Sequence, residues 1–313
     1  MKKLLALLLS LLMLFTLTSC EEEDVDLALD IAIAVMDELE AYENAQNGGL
    51  PGNPGEGAES VEVIPEFSGD AYVTVNGNVP FFMPEEITDE SFEYYAELDS
   101  LGRCGTTMAC IGRELMPTAE RESISSVIPS GWVNVQYEFV DGGYLYNRCH
   151  LIGFQLTGEN ANECNLITGT RYMNVEGMLP FEDLVADYVW DSGNHVLYRD
   201  TPVFEGDELV CRGVHMEGWS VEDEGESVCF NVFVYNVQPG VIINYTTGES
   251  SMDEEYLMSG EQMNYVLNTS SKKFHSPDCS GADGISQENR EDYTGTRQWL
   301  IALGYTPCGQ CQP

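Results

Sequence analysis

Basic side chains are what this chain has least of. Thirteen Lys and Arg stand against 53 Asp and Glu in 313 residues, a formal net charge of −40. From Cys20 to Arg103 no Lys or Arg occurs, and beyond Lys2 and Lys3 the only lysines are Lys272 and Lys273. A chain this acidic cannot hold nucleic acid through a broad basic surface, because phosphate contacts dominate such affinity. A few arginines in a pocket remain compatible with phosphate, which a guanidinium binds bidentately. A divalent cation or salt would then have to screen the rest. Long apolar runs are equally scarce. The one that stands out, Leu4 to Leu17, has fourteen residues, too few to span a bilayer. No internal repeat of useful length is present. What the chain does have is 43% apolar content, enough for a real core.

Lys2 and Lys3 followed by that apolar run form a secretory leader, so 1–20 is expected to be a signal peptide. Leu17-Thr18-Ser19-Cys20 resembles the lipobox of bacterial lipoproteins, and the resemblance implies that Cys20 is lipidated and becomes the mature N-terminus. Residues 21–60 then read as an acidic helix and a flexible, Gly- and Pro-rich tether. A surface-anchored protein on the extracellular face of the membrane is the expected outcome, with membrane contact through the lipid only.

Folding is expected from residue 61. Two apolar runs around Asn76-Gly77 predict a hairpin over 71–82, and 91–98 a short helix. Alternation predicts a strand over 132–139, turned by Asp141-Gly142-Gly143 into 144–146. Residues 170–188 are helical in two pieces, interrupted at Gly177, with Pro180 in the first turn of the second. Strands are expected at 195–203, 208–219, 228–237 and 241–245. The fold class is therefore α+β with a mainly antiparallel sheet.

The stretch from Tyr146 to Glu182 concentrates the chemistry. Hydrolysis of a phosphodiester needs a base for water, a cation for the non-bridging and leaving oxygens, and donors for developing charge. His150, with an ordinary pKa near ~6.5, suits the base. The Asn174 amide oxygen is a hard ligand suited to Mg²⁺, and Arg148 is near in sequence. His195 and His215 fall in strand patterns and read as structural.

Asn147-Arg148-Cys149-His150, Asn165-x8-Asn174 and Glu182 resemble the signature of the DNA/RNA non-specific endonucleases of the ββα-metal (His-Me finger) superfamily: Asp-Arg-Gly-His, Asn-x8-Asn and a later Glu. Leu156-Thr157-Gly158 and Asn236-Val237-Gln238-Pro239-Gly240 are similar to its bacterial secreted, DNA-entry branch. The resemblance spans about 65 to 250. It implies a central ββα-metal finger, His150 as general base, Asn174 as the direct ligand of Mg²⁺ (or Mn²⁺), Arg148 on phosphate, Asn165 supporting the site and Glu182 holding water around the metal. Arg103 is a second candidate for phosphate. Two letters depart from the signature, Asn147 for Asp and Cys149 for Gly. The Cys149 side chain could change the local backbone or enter a disulfide.

Residues 263–313 form a second unit, with a helix expected over 292–303. His275-x3-Cys279 and Cys308-x2-Cys311 are two close-spaced pairs of N and S ligands, matching a tetrahedral structural Zn²⁺ site. A small unit with few large apolar side chains needs such a staple. The competing reading is a disulfide among Cys279, Cys308 and Cys311, which an exported chain permits. Cys149 with Cys164 and Cys104 with Cys110 are further possible pairs, and Cys211 and Cys229 are unassigned. The domain order is then leader, tether, endonuclease domain over 61–250 and zinc unit over 263–313. The implied activity is metal-dependent cleavage of DNA or RNA to 5′-phosphate products. The alternatives are a catalytically silent binding lipoprotein of the same fold and a toxin-type nuclease, which the lipobox disfavours. Oligomeric state is not legible.

Overall fold

The structure, a computed structural model, describes residues 64–313. The expected leader, Cys20 and the tether lie outside the described residues. The described residues belong to one compact unit. Among the described residues no helix is long and apolar enough to cross a membrane.

The centre is a six-stranded antiparallel sheet in the order β1-β8-β7-β6-β3-β2. Its long members are β6 (Val196–Val203), β7 (Gly213–Ser220) and β8 (Cys229–Tyr235). These are β-branched and aromatic runs that fit a pleated surface buried on both faces. β1 (Tyr72–Thr74), β2 (Phe92–Tyr95) and β3 (Thr107–Ile111) complete it.

Against one face packs a finger: β4 (Tyr146–His150) and β5 (Leu166–Thr170), antiparallel to each other, then a helix. Leu151, Ile152, Met173, Met178, Val185 and Val189 from the finger meet Ile111, Tyr198, Val214 and Val232 of the sheet in one buried cluster. Each such side chain contributes about 1.5–3 kcal/mol on burial, so the finger is anchored by its apolar side while its polar side stays free. The opposite face of the sheet is crossed by 76–86. Asn231 Nδ2 donates to the Val79 carbonyl at 2.7 Å, and Glu217 accepts from the Phe81 amide at 2.6 Å. Arg199 donates to the buried Glu217 at 2.8 Å and stacks 4.8 Å from the Phe82 ring.

Four local expectations are corrected. Residues 71–82 form no hairpin: Asn76, Gly77 and Asn78 turn with positive φ, and β1 pairs with β8 instead. The predicted helix at 91–98 is the edge strand β2, because Phe92 and Tyr94 alternate against β3. The strand expected at 132–139 reduces to one bridge, Gln136 to Tyr144. Residues 292–303 divide into β13 (Arg290–Gly295) and a helix at Arg297–Ala302, since Thr296 caps that helix by accepting from the Trp299 amide. The two-piece helix at 170–188 is present as Met173–Met178, a π-helix, running into α2 (Leu179–Ser192), with α1 the short turn Phe154–Thr157. Gly177 does not break it. A Cβ there would lie 2.3 Å from Val234 Cγ1, so glycine is what lets the helix approach β8.

β9 (Val241–Ile243) and β10 (Ser250–Met252) pair as an antiparallel ribbon. Residues 263–313 build a four-stranded sheet from β11 (Met263–Asn268), β12 (Lys273–His275), β13 and β14 (Thr306–Pro307), in the order β13-β11-β12-β14. The helix Arg297–Ala302 covers Tyr265, Leu267 and Phe274 with Leu300 and Tyr305. Thr296 Oγ1 donates to the Leu257 carbonyl of the helix Glu254–Met258, tying this sheet to the preceding segment.

Candidate active site

His150 is the last residue of β4 and is 5% exposed. Its Nε2 lies 2.9 Å from the Asn160 carbonyl. A carbonyl only accepts, so Nε2 carries the proton and Nδ1 presents a lone pair. Arg121 Nη2 lies 3.3 Å from that Nδ1. Burial first, then the Arg121 charge, hold the imidazole below its ordinary pKa, against the raising effect of the Asn160 carbonyl. His150 is therefore neutral at pH 7 and of one tautomer, the state a general base requires.

Two asparagines hold this geometry. Asn165, fully buried, accepts from the Ile152 amide and donates to the Ile152 carbonyl, both at 2.9 Å. It thereby fixes the backbone just after His150. Asn160 accepts with its side chain from the Glu122 amide at 2.8 Å while its carbonyl holds His150. One residue thus sets the distance between the imidazole and the loop carrying Arg121.

Beside the base is a cleft of about 510 Å³ lined by Arg121, Arg148, Arg171, Asn134, Asn147, Asn174, Trp132, Tyr144, Tyr146 and Ile124. In a chain with 53 acidic residues, none of these is a carboxylate. Asn174 is carried there by the π-helix, a distortion that is rare and recurs at functional positions. The donor set fits Mg²⁺: one neutral hard oxygen suits a cation that keeps most of its waters. Asn147 Nδ2, buried and without a partner, supplies an unspent donor for a phosphate oxygen or a water on the same wall.

The arginines differ in how committed they are. Arg148 donates to the carbonyls of Val127 at 2.5 Å and Ser125 at 3.3 Å and stacks 4.2 Å from the Trp132 ring, so it shapes the cleft wall. Arg171 is forked onto the exposed Asp141 at 2.8 and 2.9 Å. Arg103 is not brought to the cleft. It pairs with Asp99 at 2.7 Å, donates to the carbonyls of Gly206 and Glu208, and lies 4.6 Å from the Phe204 ring. The residue that reaches both cleft and base is Arg121. Sequence reading passed over it because it sits 29 residues before His150 with no motif around it. The signal that was available is scarcity: in so acidic a chain every arginine needs an explanation.

Glu182 occupies the first turn of α2. The residue as a whole is half-buried, but its carboxyl is enclosed against Gly153, where a Cβ would lie 2.5 Å from Oε2. Desolvation, reinforced by Asp183, raises its pKa to about 8, while Arg121 and Gln155 pull it down. It also faces the fully buried Asp200, whose Oδ2 accepts from the Tyr198 hydroxyl at 3.2 Å. Cys149 points away from the cleft into the core. Its thiol is free, as are those of Cys104, Cys110, Cys164, Cys211 and Cys229. His195 lies between Glu222 at 2.6 Å and Glu114 at 3.5 Å, and His215 contacts Asn231, both away from the cleft lining.

The other predicted cluster is also assembled. The ligand atoms of His275, Cys279, Cys308 and Cys311 all lie within 4.8 Å of one another. His275 Nδ1 is buried without a hydrogen-bond partner, and amide hydrogen bonds from Gln310 and Cys311 lower the Cys308 thiol pKa. A bare imidazole nitrogen among sulfurs fits a tetrahedral metal.

Residues 84–221 match the sequence model of a family described as DNA/RNA non-specific endonuclease. The fold is similar to that of NucA from Streptococcus agalactiae with magnesium ion bound (22% identity, TM-score 0.54, covering 64% of this chain and 94% of that one). It is also similar to Sda1 nuclease with bound zinc ion (24% identity, TM-score 0.50, covering 58% and 96%).

Proposed function

From a chain that belongs to the DNA/RNA non-specific endonuclease family, we propose a metal-dependent endonuclease that cleaves DNA, and RNA by the same chemistry, with His150 as its general base. The observation that carries this reading is the neutral, single-tautomer His150 beside a carboxylate-free cleft in a protein of net charge −40. As Arg121 turns from His150 Nδ1 to the phosphate, Nδ1 takes a proton from water and the water oxygen attacks phosphorus. The P–O3′ bond breaks, leaving a 5′-phosphate and an O3′ that takes a proton from solvent to depart as a hydroxyl. Arg121 stays beside the reacting phosphate and offsets the charge that builds on its oxygens. Asn174 is the residue that would hold Mg²⁺ or Mn²⁺; when bound, the cation neutralises charge on the non-bridging and leaving oxygens. Asn165 and Asn160 orient the base, Arg148 holds the wall, and Glu182 stands behind Arg121. Arg103, committed to Asp99, acts on loop structure rather than on substrate.

His275, Cys279, Cys308 and Cys311 are proposed to hold a structural Zn²⁺. The leader and Cys20 support export and lipid anchoring on the outer face of the membrane. The test is cleavage of plasmid DNA with Mg²⁺ or Mn²⁺, with and without EDTA, by wild type, His150→Ala and Asn174→Ala. Wild-type cleavage abolished by EDTA and by either exchange supports the reading. Intact DNA in every lane points to the silent binding protein of the same fold.

A further inference from the structure

Charge is not spread evenly along this chain. Residues 64–262 carry seven basic against thirty-five acidic side chains, while residues 263–313 carry four against five. The C-terminal sheet is thus close to neutral, and a polyanion approaches it against far less net repulsion than it meets from the rest of the described chain. Its cations are also placed together. Lys273 of β12 is paired with Asn268 of β11, which is paired with Arg290 of β13, so the three stand in one row across three strands. Residues directly opposite in a ladder share a face, and Val266 with His275 lies two residues along on the same strands. The row therefore flanks the His/Cys cluster. Lys272 adjoins the row at the sheet edge in a left-handed conformation (φ 51°), but its ammonium lies 4.4 Å from the ring centroid of Tyr305, which packs with Leu267 and Phe274 on the other side of the sheet. Lys272, Lys273 and Arg290 are all exposed. Arg290 is partly committed, donating to the Ala282 carbonyl and lying 3.8 Å from Asp292, which leaves Lys273 as the less committed charge of the row.

We propose that the β12 edge of the C-terminal sheet is a nucleic-acid docking surface that holds the sugar-phosphate backbone through Lys273 and Arg290, with Lys272 beside them at the rim. It adds attraction outside the arginine-lined cleft, in a chain that is otherwise strongly acidic. The inference rests on nucleic acid being the substrate. It adds a second point of attachment, outside the catalytic cleft, that acts on affinity and not on the chemical step.

The test uses the full chain. In a His150→Ala background, so that substrate survives, binding of a 30-base-pair duplex is followed by fluorescence anisotropy over a range of salt. Lys272→Ala/Lys273→Ala is expected to raise Kd about tenfold and to flatten the slope of log K against log salt by about 2, one counterion per lost phosphate contact. In the catalytic background the same exchange should raise KM for long DNA and leave kcat on a short oligonucleotide unchanged. Unchanged Kd and slope would overturn the proposal. So would a loss of affinity confined to anionic phosphatidylglycerol vesicles, with DNA binding intact. Bound zinc and Tm report whether the double variant folds; if it does not, Lys273→Gln, which keeps most of the aliphatic stem, carries the same measurement. A wild type that binds DNA through these lysines but never cleaves it refutes the nuclease reading alone. A cleaving wild type whose lysines do not matter refutes the docking alone.

Discussion

Because Nε2 of His150 is spent on a carbonyl, everything the imidazole does chemically falls to Nδ1, and the pKa of that nitrogen sets the acidic limit of activity. Burial and Arg121 lower it, so the neutral form persists below the ordinary histidine range. The acidic limb of kcat/KM in the metal-loaded protein should fall below pH ~6.5, and a limb at or above that value would contradict the assignment. Asn160 is the more unusual part of the arrangement. Exchange of Asn160 for Ala keeps the carbonyl on His150 but removes the acceptor for the Glu122 amide. Losing one such bond costs about 1 kcal/mol. Through a loosened Arg121 it should therefore lower kcat about fivefold, with the acidic limb moved little. Assay of Asn160→Ala beside Asn160→Asp, which keeps the acceptor oxygen, separates this from general damage: only the Ala variant should lose activity.

At the scale of elements, the finger was legible in the sequence. The order Arg148, His150, Asn165, Asn174 and Glu182 pointed to it through likeness to a family signature, and the structure carries these residues on β4, the turn before β5, the π-helix and α2. The long strands β6 and β8 were legible from β-branched runs. What failed were segments whose state is decided by a partner. Ser91 to Leu98 has helix-compatible local signals, but the edge of β3 claims it. Residues 79–86 hold apolar residues that cross the sheet's far face instead of pairing in a hairpin. Arg121 was invisible for the same reason, since only the fold brings it to His150. The π-helix is likewise a tertiary matter. Gly177→Ala should gain up to ~1 kcal/mol of helix propensity, yet its Cβ would meet the fully buried Val234 at 2.3 Å. Overpacking costs about 1–3 kcal/mol, so the net effect should be destabilising. A Tm that rises in Gly177→Ala would show that the helix stands off the sheet.

Over the whole molecule, two consequences follow from charge and metal. Glu182, with a folded pKa of about 8, and Asp200, raised well above the ordinary carboxylate range by burial and by Glu182, favour the protonated folded state. Their contribution is fully present below the unfolded carboxylate range and is lost as pH rises through the folded values. The magnesium-free protein should thus lose Tm as pH climbs from 5 to 8, and Glu182→Gln should flatten that slope; an unchanged slope would remove Glu182 from the account. Native mass spectrometry should find one zinc per chain. A chelator selective for zinc should release it with loss of Tm, and Cys308→Ser should lower zinc retention, whereas a disulfide among the three cysteines would show as a mass lower by two hydrogens and no metal.

The measurement that bears most directly on the central claim is single-turnover cleavage of duplex DNA with Mg²⁺ by wild type and His150→Ala, with product ends mapped. Wild type should give 5′-phosphate ends, and the variant should lose several orders of magnitude, on the scale of ~10²–10⁴ for a lost general base. Equal rates in the two proteins, or 3′-phosphate ends, would contradict it.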